Sequence, residues 1–399
     1  MMVKGGASVT RCGVVLTAVV VLAGCGFRGG PAPSIAPLGN SDVPASGGVP
    51  QYLVLPLGDV SAAELRRAHA AGKTIPYFEG HVRSPLDQKT YAFRIVGKAP
   101  GTDDARSSIP YVAIFVAIRY PDGTLLSPTE PACGDDVSVE QRFLGGPNFT
   151  PTRMTSNGID IGTVQFGDAF QRAEFWKSVK RAPNYHTVLR AATDPVVVYV
   201  NAPASSKTTR GVCAGAGHRT GTIPIADFAA MVGRLVKKHA PTTAIAIVVA
   251  YNTFEIGPKG NCCIVGFHGA FKRGGGVQSF ASAAYNDAGS IRYYDQIADI
   301  NATTHELGEV FNDPFPLPNG HANMSPAWGH VGQYVYGCST YFEVGDPLDA
   351  TGFPLRRGGF TYHPQELAFF SWFYRTKSSG TGGKYSFNGT FTKAQGPCK

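Results

Sequence analysis

Residues 304–314 read THELGEVFNDP and decide both the fold and the chemistry predicted for the chain. Apolar residues recur at helical spacing before and within this stretch, at Ile297, Ile300, Leu307 and Phe311. The pattern predicts a core-facing helix that begins at about Tyr293. Proline disfavours helical geometry in the residue before it, so Pro314 predicts an end near Asn312 or Asp313.

The same helix would bring two metal-ligating side chains together. His305 and Glu309 are separated by four positions, which places them one turn apart on one face. An imidazole and a carboxylate in that arrangement suit Zn²⁺, and Glu306 would act as general base toward a water polarised by the ion. The motif is HExxE, which departs from the HExxH of zinc hydrolases.

A zinc site needs a third ligand, and the sequence leaves several candidates open. Asp313 is the nearest in sequence if the helix stays regular. More distant carboxylates and imidazoles that could complete the site are Glu343, Asp346, His268, His321 and His330. The anionic Glu309 would make bound water less acidic than in an HExxH site, which favours a slow hydrolase or a structural metal. The competing interpretation is a helix with a hydrogen-bonded histidine and solvated carboxylates.

The N-terminus has the pattern of an export signal. Lys4 and Arg11 precede an apolar run, residues 14–22, that is too short for a mature membrane span. The sequence Leu-Ala-Gly-Cys, residues 22–25, resembles the lipobox of bacterial lipoproteins. We therefore predict a signal peptide over residues 1–24 and a lipid on Cys25 that anchors the protein to a membrane of the cell envelope. Gly26, rather than Asp, favours an outer membrane by the same resemblance.

Composition divides the rest of the chain. Residues 25–50 are rich in Gly and Pro and predict a flexible tether, and residues 51–399 predict one large exported domain. A sub-boundary is expected near residues 195–240, with the metal motif in a C-terminal part, residues 244–374. The net charge of +8 comes from scattered basic residues without a nucleic-acid-binding motif, so we expect a solvated basic surface.

Cysteine usage fits an oxidising compartment. Six cysteines remain beyond the signal and lipid positions, which predicts three disulfides among Cys133, Cys213, Cys262, Cys263, Cys338 and Cys398. Their connectivity is not readable, although adjacent Cys262 and Cys263 are expected to have different partners. A thiol nucleophile made from Cys263 and His268 is the weaker alternative.

Strand and helix patterns alternate along the domain and predict an α/β or α+β fold in which a mixed sheet backs the motif helix. Strands are expected at residues 51–57, 91–96, 111–119, 195–200 and 244–250, with shorter ones at 263–267 and 279–285. Helices are expected at residues 62–71, 168–179 and 225–239. Residues 131–157 predict a loop-rich segment stapled by Cys133.

Several of these motifs together resemble bacterial secreted proteins related to the plant phosphate-induced, or exordium-like, family. The resemblance covers roughly residues 244–374. It is carried, in order, by Cys262/Cys263, Gly266-Phe267-His268, Tyr285, residues 305–314, Trp328, Glu343-Val344-Gly345-Asp346 and Gln365. The resemblance implies a zincin-like fold and a metal site. It leaves the activity open, as a peptidase of the cell surface or as a surface binding or adhesion protein with a structural metal, Ca²⁺, or none.

Overall fold

The computed structural model describes residues 51–54, 60–258, 260–291, 294–316, 323–329, 338–396 and 398. The predicted signal peptide, Cys25, the tether and the ligand candidates His321 and His330 lie outside these residues. The fold within them is mixed α/β, with one large curled sheet and few helices. No helix of the described ranges is long and apolar enough to cross a bilayer.

The helices are α1 Ala62–Ala70, α2 Val139–Leu144, α3 Phe166–Glu174, α4 Trp176–Val179, α5 Ile225–His239, α6 Asn301–Asn312 and α7 Phe370–Tyr374. The strands are β1 Gln51–Val54, β2 Tyr77–Arg83, β3 Thr90–Val96, β4 Arg106–Arg119, β5 Leu125–Leu126, β6 Thr152–Ser156, β7 Ile159–Val164, β8 His186–Ala191, β9 Val196–Asn201, β10 Lys207–Thr209, β11 Thr220–Pro224, β12 Ile245–Tyr251, β13 Thr253–Ile256, β14 Cys262–Arg273, β15 Gly276–Tyr285, β16 Met324–Gly329, β17 Cys338–Tyr341, β18 Leu355–Arg357 and β19 Phe360–Tyr362.

An 11-stranded mixed sheet forms the centre of the molecule. Its main path runs β10-β11-β13-β14-β15-β12-β4-β5, while β1 pairs with β14, and β8 and β9 pair with β4. The central strand β12 is buried along its whole length and lies parallel to both β15 and β4. Strands from before and after residues 195–240 therefore share one sheet.

Helices cover the two faces of this sheet because the strands are apolar on both sides. Helix α5 packs Phe228, Val232 and Val236 against residues of β4, β12 and β14 on one face. Helix α6 packs Leu307 and Phe311 with residues of β12 and β15 on the other face. Every residue of α6 is buried, since α3 and β3 pack against it in addition to the sheet. The helix that carries the motif is thus an interior element.

Helix α6 is shorter than predicted. It begins at Asn301, not near Tyr293, because the chain before it turns: Ile297 N–H donates to Tyr294, and Asp299 has a φ of 43°. Its end agrees with the prediction, since Asn312 is the last helical residue and Asp313 leaves helical geometry with φ −137° and ψ 68°. Ile297 and Ile300 are buried, but they lie in the turns before α6 and do not belong to the apolar face of the helix.

The six cysteines among the described residues pair as three disulfides, Cys133–Cys213, Cys262–Cys263 and Cys338–Cys398. The expectation that Cys262 and Cys263 would have different partners is wrong. Cys133 pairs with Cys213 and Cys338 pairs with Cys398, so Cys262 and Cys263, at the start of β14, are bonded to each other. The segment 131–157 contains α2 and β6 between loops, and the Cys133–Cys213 disulfide staples it as predicted.

Candidate metal centre

Two buried histidines and several carboxyl groups meet between α6 and β14. We call this group the histidine–carboxylate cluster; its members are His268, His305, Glu306, Glu309, Asp313, Glu343, Asp346 and Asp349. The side chains of His268, His305 and Glu306 are fully buried, whereas the side chain of Asp346 is 16% exposed. Buried carboxyl groups are costly unless positive charge or protons compensate them.

Strand periodicity brings the sheet's histidine to the cluster. Successive side chains of a strand alternate between faces, so Gly266, His268 and Ala270 of β14 share the face that meets α6. Ala270 packs in the same apolar cluster as Leu307 and Phe311. At Gly266 an added Cβ would lie 2.6 Å from Glu306 Oε1, so the absence of a side chain there allows the helix to approach.

Helical spacing places His305 and Glu309 together as the motif predicts. His305 Nε2 lies 3.0 Å from Glu309 Oε1 and 3.5 Å from Asp346 Oδ1. Ligand atoms 2.0–2.2 Å from a tetrahedral zinc ion are separated by roughly 3.3–3.6 Å from one another, close to these values. His305 Nε2 nevertheless has no hydrogen-bond partner. Ligand atoms that face a common metal ion have this arrangement.

The other ring nitrogen of His305 fixes the orientation of the imidazole. Gln365 Nε2 donates to the Gly345 carbonyl at 2.8 Å, so the Gln365 Oε1 atom is the one that faces His305 Nδ1, at 3.1 Å. A carbonyl oxygen only accepts, and His305 Nδ1 must therefore carry the proton. When the ring is neutral, the lone pair on Nε2 is then directed at Glu309 and Asp346. Metal-binding histidines commonly have this second hydrogen bond.

Two further contacts hold His305 in place. Tyr52 of β1 stacks on the imidazole with ring centroids 3.4 Å apart, and its hydroxyl donates to Asn301 Oδ1 at 3.2 Å. On another side, an added Cβ at Gly345 would lie 2.5 Å from the ring, while the Gly345 N–H donates to Glu309 Oε1 at 3.1 Å. The rotamer of His305 is thus fixed by packing as well as by hydrogen bonds.

His268 joins the second half of the cluster. Its Nδ1 lies 3.3 Å from Glu306 Oε2 and 3.2 Å from Glu309 Oε2, and its Nε2 lies 3.8 Å from Glu343 Oε2. The sequence favoured a core strand histidine at this position over a ligand. The structure places it beside the motif because β14 runs under α6.

Burial and the charges of neighbouring groups shift the pKa values of the cluster residues. Burial alone would lower the pKa of both histidines, but the surrounding carboxylates outweigh burial and raise the pKa of His268 and of His305 well above the usual value. Burial opposes ionisation of Glu309, yet the two imidazoles hold its pKa well below the usual range. Burial raises the pKa of Glu306 to about 8 and that of Asp313 to about 7. Without a bound cation, Glu306 and Asp313 therefore keep their protons to higher pH than ordinary carboxyl groups do, while Glu309 is ionised.

The structure divides the candidate third ligands between two groups, one around His305 and one around His268. Asp346 is the carboxylate that forms a group with His305 and Glu309. Asp313 and Glu343 instead form a group with His268, because the helix ends before Asp313 and its side chain lies on the His268 side. Residues that the motif does not predict as neighbours of His305 are Tyr52, Asp349 and, as an orienting group, Gln365. Of these, only Gln365 is indicated by the sequence, through the exordium-like resemblance.

A pocket of about 350 Å³ lies beside the cluster. It is lined by Tyr52–Val54, Cys338–Tyr341, Glu343 and Asp346. Asp346 and Tyr52 therefore stand between the pocket and His305. Comparisons with protein-family models, curated proteins and solved structures find no match to this chain.

Proposed function

We propose that the protein is a metalloprotein of the cell envelope that binds a divalent cation, preferentially Zn²⁺, through His305 Nε2, Glu309 and Asp346. The observation that carries the proposal is the buried Nε2 atom of His305, which has no hydrogen-bond partner and faces two carboxylate oxygens at 3.0 and 3.5 Å. One imidazole nitrogen and two carboxylates are a donor set that zinc accepts. Anchoring through a lipid on Cys25 and a zincin-like relationship are part of this proposal and come from the sequence.

The activity that fits the site best is hydrolysis of a peptide or another carbonyl substrate at the cell surface. A bound divalent ion would polarise water and a substrate carbonyl. Glu306 is the residue we assign as general base, since it adjoins Glu309 across His268 Nδ1 and its Oε1 atom has no partner. Burial raises the Glu306 pKa to about 8, and a nearby cation would lower that pKa toward about 7, where a general base works at neutral pH. The pocket beside Asp346 would admit the substrate.

A second candidate is a non-catalytic surface binding protein in which the metal is structural. The observation that favours it is burial: His305 and Glu306 have no exposed side-chain surface, and neither lines the pocket. Structural metal sites are closed, whereas catalytic sites keep an open position. The anionic Glu309 also weakens the ion as a Lewis acid.

Metal analysis of the purified full-length protein tests the metal proposal. We expect zinc to bind to the wild type and one equivalent to be lost in His305→Ala. The matched control is His186→Ala, which removes a half-buried histidine that pairs with Asp168 away from the cluster. Zinc content that is unchanged by His305→Ala, or absent from the wild type after incubation with zinc, would contradict the proposal.

Glu306→Gln then separates the two candidates. The substitution keeps the size of the side chain and removes the base, so hydrolysis of a peptide library should fall by about 10²–10⁴-fold with zinc retained. If a library screen finds no hydrolysis by the zinc-loaded wild type, the structural-metal candidate is the one supported.

A further inference from the structure

We propose that the histidine–carboxylate cluster binds a second divalent cation, held by His268 Nε2, Asp313 and Glu343. This site is separate from the first, because none of its ligands belongs to the group formed by His305, Glu309 and Asp346. The inference therefore does not depend on the first site being correct.

The strongest evidence is a set of buried polar atoms that lack partners. His268 is fully buried and its Nε2 has no hydrogen-bond partner. Both carboxylate oxygens of Asp313 and the Oε1 atom of Glu343 also lack partners, although these residues are only 1% and 3% exposed. A buried polar atom without a partner destabilises the folded state, so several in one place favour a common partner. Their ligand atoms lie within 4.8 Å of one another.

Hydrogen bonding orients His268 as a ligand through Nε2. Its Nδ1 lies within hydrogen-bond distance of Glu306 Oε2, at 3.3 Å, and next to Glu309 Oε2, at 3.2 Å. Glu306 Oε2 accepts a hydrogen bond from Nδ1–H, which leaves the Nε2 lone pair directed at the Glu343 side. A carboxylate–histidine–metal arrangement has the same order of groups. His305 shows it too, with Gln365 in the place of Glu306.

Glu309 separates the two sites. Its Oε1 atom is 3.0 Å from His305 Nε2, and its Oε2 atom is 3.2 Å from His268 Nδ1. The imidazole of His268 then lies between Glu309 and the second site, so one ion cannot take both His305 Nε2 and His268 Nε2. Arg94 also acts on Asp313, but its Nε and Nη2 bind Glu79 at 2.8 Å, and its buried Nη1 makes no hydrogen bond to the Asp313 oxygens.

The donor set defines the class of ion. One imidazole nitrogen with two carboxylates suits Zn²⁺ or Mn²⁺ better than Ca²⁺, which takes oxygen ligands alone in larger number. Because Glu306 contacts the Nδ1 side of His268, the imidazole ring would separate the general base assigned above from the second ion. Glu343, like Asp346, lines the pocket beside the cluster, while Asp313 is only 1% exposed.

The test is the zinc stoichiometry of the metal-stripped full-length protein, re-equilibrated with zinc and dialysed. We expect two zinc ions per chain in the wild type, one in Asp313→Asn and Glu343→Gln, and one in Asp346→Asn. Glu174→Gln is the matched control, because Glu174 is an equally buried carboxyl outside the cluster, and it should keep two. Circular dichroism of each variant establishes that it is folded.

The outcomes distinguish the two proposals. One zinc that is lost in Asp346→Asn and kept in Asp313→Asn overturns the second site and leaves the first intact. One zinc that is lost in Asp313→Asn and kept in Asp346→Asn supports the second site and overturns the first. A single zinc lost in both variants overturns the two-ion arrangement. If a variant fails to fold, a zinc-edge anomalous difference map of the wild type decides, since one peak contradicts the second site and two peaks support it.

Discussion

The protein buries glutamate in two kinds of interior. Glu174, at the end of α3, lies beside an aromatic cluster made of Trp328, Phe342, Phe370, Trp372, Phe373, Tyr374 and Phe391. Burial raises the pKa of Glu174 to about 8, so it is mostly protonated at neutral pH. Glu309 is as deeply buried, but neighbouring imidazoles hold its pKa well below the usual range. A proton neutralises the acid in the first interior, whereas Glu309 in the second is ionised beside two imidazoles.

The comparison separates two sources of stability. The aromatic cluster is held by apolar burial and ring packing; for example, Trp372 stacks on Phe391 with centroids 4.9 Å apart. The histidine–carboxylate cluster contains polar atoms without partners, which a cation would satisfy. Stability from the first region should be independent of metal, and stability from the second should follow the free zinc concentration. Substitutions in each region and removal of metal test this division.

Trp372→Ala should have the largest effect on stability. The side chain is 2% exposed and contacts Trp328, Phe373 and Phe391, so its removal leaves a large cavity. We expect the free energy of unfolding to fall by about 3–5 kcal/mol, measured by denaturant unfolding. Zinc content should stay at the wild-type value. A parallel loss of zinc would show that the two regions are not independent.

Removal of metal should have the next largest effect. With free zinc at about 100–1,000 times the dissociation constant, each occupied site stabilises the folded state by about 2.7–4.1 kcal/mol. Chelation should therefore lower the unfolding free energy of the wild type by at least this amount. In His305→Ala the contribution of the first site should disappear. Equal stability of the wild type with and without chelator would contradict the division.

Glu174→Gln should stabilise the protein increasingly as the pH rises. In the folded state Glu174 keeps its proton up to about pH 8, whereas in the unfolded state the group ionises near its model value of 4.5. The unfolded state therefore binds fewer protons between these values, and the wild type loses stability with pH by up to about 1.4 kcal/mol per unit.

We expect the stability advantage of Glu174→Gln over the wild type to grow by about 2–3 kcal/mol from about pH 5 to about pH 7, a window inside the one defined by the two pKa values. Unfolding titrations at both pH values measure it. A constant difference across this window would show that Glu174 is ionised in the folded protein.

Tyr52→Phe should have the smallest effect. It removes the hydroxyl that donates to Asn301 Oδ1 but keeps the ring that stacks on His305. We expect a loss of about 1 kcal/mol in unfolding free energy, with zinc content unchanged. Loss of zinc in this variant would assign the Tyr52 hydroxyl, rather than the ring, to the positioning of His305.

The sequence predicts those helices and strands whose apolar residues repeat with a regular period along the element. Helix α5 has the predicted bounds, Ile225–His239, because its apolar positions repeat with the helical period over four turns. The buried strand β12 is equally readable. The start of α6 is not, because Ile297 and Ile300 are buried through turns that depend on Asp299 and its contact with His363.

The candidate site shows the same limit. His305 and Glu309 lie together because helical spacing fixes their relation. The positions of His268, Asp346 and Gln365 depend on which strand and which loop pack against α6, and residue spacing along the chain contains no such information. The bond between Cys262 and Cys263 escapes prediction for a similar reason, since the partner of a cysteine is set by tertiary structure.

The most direct test of the central claim is a crystal structure of the zinc-equilibrated protein with an anomalous difference map measured at the zinc edge. We predict a peak about 2.0–2.2 Å from His305 Nε2 that also contacts Glu309 and Asp346. Absence of a peak there, with His305 Nε2 donating a hydrogen bond to a carboxylate instead, would contradict the claim that this interior is compensated by a metal ion.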